Sequence, residues 1–272
     1  MKVAICDLQS ENFQEVLLKS LVNTGFAVLT HHGVDFELIK KNQQEWRKFF
    51  KREQVYKNLF INGNDSNMGY KGMGTETAVG AKVADIKEFF HYKPTEEIPE
   101  ALEDVTATLF FQLEDLGMKI LAVIDKATGS NYRSDCEGSS KTLFRALYYP
   151  ALAKADHQEG AVRAAAHEDI NHITLLVAAS APGLEVQDNQ GKWHAVPHEE
   201  NSIVVNVGDM LKLASKGLYK STTHRVVNPS DDNTDRISMP LFIHPRSNVL
   251  LAPGYTAGQF LKERIDQIYG KK

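Results

Sequence analysis

The chain has 272 residues, enough to bury a substantial core as one large domain or two modest ones. Its 42% hydrophobic and 24% charged residues are those of an ordinary globular protein, and a formal net charge of −4 argues against a nucleic acid or an anionic membrane as the main partner. The two cysteines, Cys6 and Cys136, lack CxxC spacing and offer neither a disulfide framework nor a zinc knuckle. No run approaches the roughly 18 consecutive apolar residues of a membrane span. The opening residues carry no apolar stretch of signal-peptide length, so a soluble, cytoplasmic protein is expected.

In chain order, Val3 to Cys6 reads as a short strand. A helix follows, with Phe13, Val16, Leu17 and Leu21 at helical spacing behind the candidate N-cap Ser10. Phe26 to Leu29, bracketed by Gly25 and Gly33, reads as a compact strand. Phe36, Ile39, Trp46, Phe49 and Phe50 then mark the apolar side of a second helix. The basic cluster at its end, Arg47 to Arg52, reads as a solvated last turn. Residues 61–80, rich in Gly and Asn, read as a loop. Over about 99–128 a stripe running from Leu102 through Leu109 and Leu116 to Val123 steps by threes and fours, with a stop at Gly129.

From residue 141 the pattern changes to short β-rich runs at 142–149, 173–179, 184–187, 202–207, 219–227 and 237–243, separated by turn signals at 188–191 and 228–231. Helices first and strands later predict a mainly β fold with flanking helices, a barrel or jelly roll with helices packed outside it. The N-terminal part has no strand set able to close its own sheet. One integrated domain is therefore expected: a leader region 1–98, a long supporting helix 99–130, a core 141–245 and a C-terminal tail 246–272.

Two segments carry chemistry. In an extended strand the side chains of His167 and Asp169 point to one face and can grip a single ion. Two imidazoles and one carboxylate on one face of an octahedral metal form the facial triad of iron(II) oxygenases. His224, in the β-patterned stretch from Tyr219 to Asn228, is the leading candidate for the missing imidazole. A His-x-Asp alone is weak evidence, more often a surface accident than a metal site. His31, His32, His157, His194, His198 and His244 read as exposed or structurally satisfied imidazoles. Downstream, Arg236 and Ser238 put a guanidinium and a hydroxyl on one strand face, fitted to hold the far carboxylate of a dicarboxylic cosubstrate. The competing reading is a rim arginine paired with Asp235 or Asp232.

The stretch 145–245 resembles the iron(II)/2-oxoglutarate-dependent oxygenases of the isopenicillin N synthase-like family. The matching text is Arg145 to Pro150, His167 to Leu176, Gly183 to Gln187, Gly191 to Trp193, Val204 to Met210, Tyr219 to Ser221, His224 to Pro229 and Arg236 to Ser238, in the family's order. The N-terminal part is similar to that family's leader region through Gly25-Phe26, His32 to Val34 and Asp85 to Phe89.

The resemblance implies a distorted double-stranded β-helix (jelly roll) with iron(II) held by His167, Asp169 and His224, and no catalytic side chain beyond these ligands. It implies 2-oxoglutarate and O2 as cosubstrates, the former held by Arg236 and Ser238 with Tyr149 as a further contact, and ascorbate as a candidate reductant. Two departures stand out: Leu147 occupies a position often asparagine in plant members, and the spacing from His224 to Arg236 is slightly longer than usual. His172 stands where an apolar residue is common, as a structural or pocket-tuning histidine. The candidate substrate contacts are Tyr70, Phe90, His91 and Phe242, with the tail near Phe260 also considered. The expected reaction is hydroxylation, desaturation or ring formation on an unidentified small molecule, with release of succinate and carbon dioxide. Two alternatives stay open: a same-fold iron oxygenase that does not use 2-oxoglutarate, and a catalytically silent metal- or ligand-binding module. The oligomeric state has no signature in the sequence.

Overall fold

The computed structural model describes residues 1–63, 65, 67–75, 86–151, 164–177, 182–227 and 234–268. Asp85, His157, the end of the run expected at 173–179 and the turn expected around 228–233 lie outside the described residues.

Strand β1 (Ala4–Asp7) runs parallel to β2 (Phe26–Thr30), and α1 (Phe13–Thr24) is the crossover between them. The helix stops at Gly25 with φ 72°, where a Cβ would stand 2.2 Å from the Lys220 carbonyl oxygen, so no larger residue fits this turn. Helix α2 (Phe36–Phe50) starts on Asp35, whose carboxylate accepts from the backbone N–H groups of Glu37 and Leu38. Next come α3 (Gln54–Asn58), β3 (Gly69–Lys71), β4 (Glu88–Tyr92), α4 (Glu100–Thr128) and α5 (Tyr132–Cys136). The β-rich part comprises β5 (Leu143–Tyr149), β6 (Ala164–His167), β7 (Ile173–Val177), β8 (Leu184–Gln187), β9 (Trp193–Ala195) and β10 (Ile203–Val207). After α6 (Asp209–Ala214) it continues through β11 (His224–Val226), β12 (Arg236–Ser238), β13 (Pro240–Ile243), β14 (Leu250–Ala252) and β15 (Tyr255–Thr256), and α7 (Ala257–Ile268) follows.

Among the described residues, nine strands form one sheet in the order β1-β2-β10-β7-β13-β5-β4-β3, with β12 also paired to β5. Four more form a second sheet, β6-β11-β8-β9. Period-two alternation sorts the large sheet's side chains. One face, including Leu29, Phe144, Leu175, Val205 and Leu241, packs on Leu17, Trp46 and Leu113 of the helices in the main core. The opposite face sends Phe26, Val28 and Val204 against Leu184, Val186 and Val226 of the second sheet. Two facing sheets with helices outside one of them match the expected jelly roll. No helix among the described residues is long and apolar enough to cross a membrane.

Five sequence readings need correction. Ser10 does not cap α1; it lies three residues before the helix begins, and its hydroxyl donates to the side chain of Asn12, the residue at the N-cap position. The loop read at 61–80 contains β3, because Gly69 to Lys71 add to the edge of β4. The run 219–227 becomes a strand only from His224: Tyr219 is still bonded through its N–H to Ser215 at the exit of α6. The run 237–243 is two strands, since β12 pairs with β5 whereas β13 also joins β7. The end of α2 is not simply solvated either. Arg47 and Lys51 both pair with Asp235, at 2.8 and 2.6 Å, leaving Asp235 engaged away from its neighbour Arg236.

Candidate metal centre

His167 ends β6 and His224 opens β11, and the antiparallel register sets the two directly opposite each other. Asp169 follows two residues after His167, in the connection from β6 to β7. One ligand atom from each of His167, Asp169 and His224 lies within 4.8 Å of the others. Asp169 Oδ1 is 3.8 Å from His167 Nε2 and 3.9 Å from His224 Nε2. That spacing is too long for a hydrogen bond and suits three donors facing a common ion.

The remaining atoms of these side chains are tied down. His167 Nδ1 bonds the Ala165 carbonyl at 2.8 Å and His224 Nδ1 bonds the Thr222 carbonyl at 3.1 Å. A carbonyl accepts only, so each ring carries its proton on Nδ1 and offers the Nε2 lone pair inward. Asp169 Oδ2 accepts from the Thr174 hydroxyl at 2.5 Å and from the Asn206 amide at 2.8 Å. Its carboxyl is pushed up by burial, but His224, His167 and these two hydrogen bonds outweigh that push and hold it below the ordinary range. Burial first, and His224 second, push His167 toward its neutral form; its side chain remains 41% exposed, so the direction is what matters. A carboxylate and two imidazoles that turn Nδ1 outward to carbonyls and Nε2 inward are the donor set an iron(II) ion needs.

The loop carrying Asp169 is clamped from α6. The N–H groups of Gly208, Asp209 and Met210 donate to the carbonyls of His172, Asp169 and Ile170 at 3.0, 2.8 and 3.1 Å. Helix-terminal donors that would otherwise lack partners thus hold the metal loop. A Cβ on Gly208 would sit 2.2 Å from the Asn171 carbonyl oxygen, which explains the glycine there.

On β12, Arg236 and Ser238 stand opposite Tyr149 and Leu147 of β5, while Ile237 between them enters the main core. The pair therefore shares the inner face with Tyr149, and all three side chains are buried. Arg236, only 2% exposed, donates from Nη1 to the Pro182 carbonyl at 2.9 Å and lines a pocket with Leu176, Leu184, Val196 and Val204. It is not a rim arginine.

The four candidate substrate residues divide. Tyr70 and Phe90 are paired across β3 and β4 and turn to the helix side. The Phe90 ring lies 5.2 Å from Trp46 and 5.7 Å from Phe49, and the Tyr70 hydroxyl donates to Glu88, which also pairs with the buried Lys57 at 2.6 Å. Neither is brought to the metal side of the sheet. Phe89, the neighbour of Phe90, does reach that side, in a cluster with Leu147 and Tyr149. His91 and Phe242 lie on that inner face, Phe242 opposite Thr174. Phe260 of the tail packs instead with Met210, Leu251 and Ala257.

Thr174 and Asn206 received no role from the sequence, while Phe89 opens the stretch 89–91 in which substrate contacts are expected. A polar residue inside an otherwise apolar strand, as Asn206 is in Ile203–Val207, was the available signal for the second of these. His172 is fully buried, its ring edge-on to Tyr132 at 5.6 Å, and neither ring nitrogen meets a hydrogen-bond partner among the described residues.

Residues 140–245 match the 2OG-Fe(II) oxygenase superfamily and residues 3–108 match the non-haem dioxygenase in morphine synthesis N-terminal family. A solved candidate oxygenase from Shewanella oneidensis is 37% identical, covers 100% of both chains and superposes with a TM-score of 0.88. A full-length Neurospora crassa protein solved in complex with alpha-KG, 24% identical over 96% of this chain and 95% of its own, shares the fold with a TM-score of 0.82. Among curated proteins, a feruloyl CoA ortho-hydroxylase from Ipomoea batatas is 27% identical over 88% of this chain, which spans 68% of that enzyme's length. The fold, the inward-facing His-Asp-His set and these matches together place the chain in the iron(II)- and 2-oxoglutarate-dependent oxygenase superfamily.

Proposed function

We propose that the protein is a 2-oxoglutarate-dependent dioxygenase that hydroxylates, desaturates or cyclises a small organic molecule, with iron(II) ligated by His167, Asp169 and His224. The observation that carries this is the convergence of one Oδ1 and two Nε2 atoms within 4.8 Å, each ligand braced from behind. Iron(II), once bound, supplies the oxidising chemistry with O2 while 2-oxoglutarate becomes succinate and carbon dioxide. The protein's share is positional. Thr174 and Asn206 aim Asp169, the α6 clamp fixes its loop, and Arg236 with Ser238 and Tyr149 would take the distal carboxylate of 2-oxoglutarate. Leu147 faces Ser238 without a polar contact to add. Ascorbate would serve only to keep the iron reduced.

The leader region and core act as one domain in this reading, because β1 to β4 share a sheet with β5, β7 and β10. A reducing, cytoplasmic setting is supported by Cys6 and Cys136, both buried free thiols. The test is succinate release coupled to oxygen uptake in iron-loaded protein supplied with 2-oxoglutarate. Wild type should release succinate, and His167→Ala and Asp169→Ala should not. Oxygen uptake without succinate would favour an oxygenase that takes its electrons elsewhere.

A further inference from the structure

Helix α7 is joined through α6 to the loop that carries Asp169, by an ionic contact and by an apolar one. In the ionic contact, Arg264 on α7 donates from Nη2 to Asp209 Oδ2 at 2.9 Å. Its guanidinium lies 5.3 Å from the ring centroid of Phe260, one helical turn earlier. Asp209 is the first residue of α6, and its own N–H donates to the Asp169 carbonyl at 2.8 Å. One residue thus takes Arg264 on its side chain and the metal loop on its backbone. Burial pushes the Asp209 carboxyl up, and the Arg264 charge acts against that push.

In the apolar contact, Phe260 and Ala257 of α7 pack with Met210 of α6 and Leu251 of β14, and Ile170, the residue after Asp169, packs against the same group. The Met210 N–H donates to the Ile170 carbonyl at 3.1 Å. The start of α7 is fixed in turn, because the N–H groups of Ala257 and Gly258 donate to the carbonyls of Val249 and Ser247 at 2.8 and 2.9 Å. The Arg264 side chain is 41% exposed, and an ion pair at that exposure contributes little to stability on its own. Its consequence is geometric: it sets where Asp209, and with it the backbone that grips the metal loop, can sit.

We propose that α7 is a brace for the iron site, with Arg264 and Phe260 as positioning residues. They hold Asp209 and Met210, and through the N–H groups of these two residues they keep the Asp169 loop in the geometry that binds iron(II). This rests on the reading of His167, Asp169 and His224 as iron ligands, and the experiment separates the two. Coupling of this kind is reciprocal. Whatever factor a docked α7 adds to iron(II) affinity, bound iron(II) adds to the docking of α7. The test therefore reads both directions in full-length protein without oxygen: iron(II) affinity by competition with a chelator, and amide hydrogen exchange of α7 with and without iron(II).

Folded wild type that binds no iron(II) would overturn the iron-site reading itself. With iron(II) bound, Arg264→Leu and Phe260→Ala should each weaken its binding by about 2- to 30-fold, the range over which residues that touch no ligand modulate coupling. Arg264→Lys, which keeps the charge but not the planar fork, should lose less. In wild type, iron(II) should slow exchange in α7 by a factor of the same order, and by more than it slows exchange in α2. Affinity unchanged in both folded variants would overturn the proposal and leave α7 a merely structural element. So would an α7 that iron(II) protects no more than α2. The exchange measurement uses wild-type protein and stands even where a variant fails to fold.

Discussion

Asp169 shows how much of a metal site lies in residues that never touch the metal. Its outer oxygen is shared by Thr174 and Asn206, which fix the rotation of the carboxylate and leave Oδ1 toward the two imidazoles. Outer partners of this kind typically contribute about 10- to 100-fold to metal affinity. Thr174→Val and Asn206→Leu should each weaken iron(II) binding by that order, measured by competition with a chelator, while the far-ultraviolet circular dichroism stays that of the wild type. Unchanged affinity in both would mean that the α6 clamp alone positions the ligand. His172 makes a separate residue-scale case. Burial, with His244 as a second cause, pushes its imidazolium pKa down to about 3, so the folded state keeps it neutral. The unfolded chain, with an ordinary value of about 6.5, binds the proton first as pH falls. Stability attached to this residue is therefore complete above about pH 6.5 and declines below it, by about 2 kcal/mol at pH 5. His172→Leu removes both the titration and two nitrogens that have no hydrogen-bond partner among the described residues. Its thermal midpoint should equal or exceed that of wild type at pH 7.5, and the gain should grow at pH 5; a lower midpoint at both would show that the imidazole is needed.

At the scale of elements, the connection from β10 into α6 binds the metal loop to the sheet. Gly208 is the tight point, because a methyl group there meets the Asn171 backbone at 2.2 Å from oxygen and 3.0 Å from nitrogen. Gly208→Ala should lower stability by about 1–3 kcal/mol, the usual range for overpacking, and should weaken iron(II) binding in the same variant. A thermal midpoint lost with affinity retained would separate the clamp from the ligand geometry. The elements also show what could be read from residue order. The stripe predicting a helix over about 99–128 became α4, Glu100–Thr128, because a long amphipathic period has few alternative solutions. Short strands were located but not bounded. Where β12 and β13 change partners at Met239, the apolar pattern runs on unbroken, since both flanking segments are buried. The substrate candidates show the same limit more sharply. Phe89 and Phe90 are equivalent in composition, and only the register of β4 against β5, with Phe90 opposite Ala146 of the main core, tells which one faces the metal side. The Arg236–Ser238 pair was legible because its i, i+2 spacing holds along β12, whereas Asp169 lies beyond the end of β6 and the three ligands were legible from the order of the surrounding motifs.

For the whole molecule, the leader strands are structural members of the large sheet. β2 lies between β1 and β10, and β4 joins β5 to β3. Buried Lys57, Tyr70 and Glu88 bind the α3–β3–β4 region to itself by charge-assisted hydrogen bonds, with the aromatic stack of Phe49, Phe50 and Trp46 behind them. A sheet shared in this way should unfold as one unit, so urea denaturation followed by tryptophan fluorescence and by circular dichroism should give coincident transitions. Separate midpoints for the two probes would show that the leader region folds apart from the core. The central claim, that His167, Asp169 and His224 hold iron(II) beside a 2-oxoglutarate site built on Arg236 and Ser238, is tested most directly by anaerobic titration. Iron(II) and 2-oxoglutarate together should produce the weak visible charge-transfer band in wild type, His167→Ala and Asp169→Ala should abolish it, and Arg236→Leu should shift the 2-oxoglutarate midpoint by about 10- to 100-fold. A folded, metal-loaded protein without the band, or a band that survives loss of His167 and Asp169, would contradict the claim.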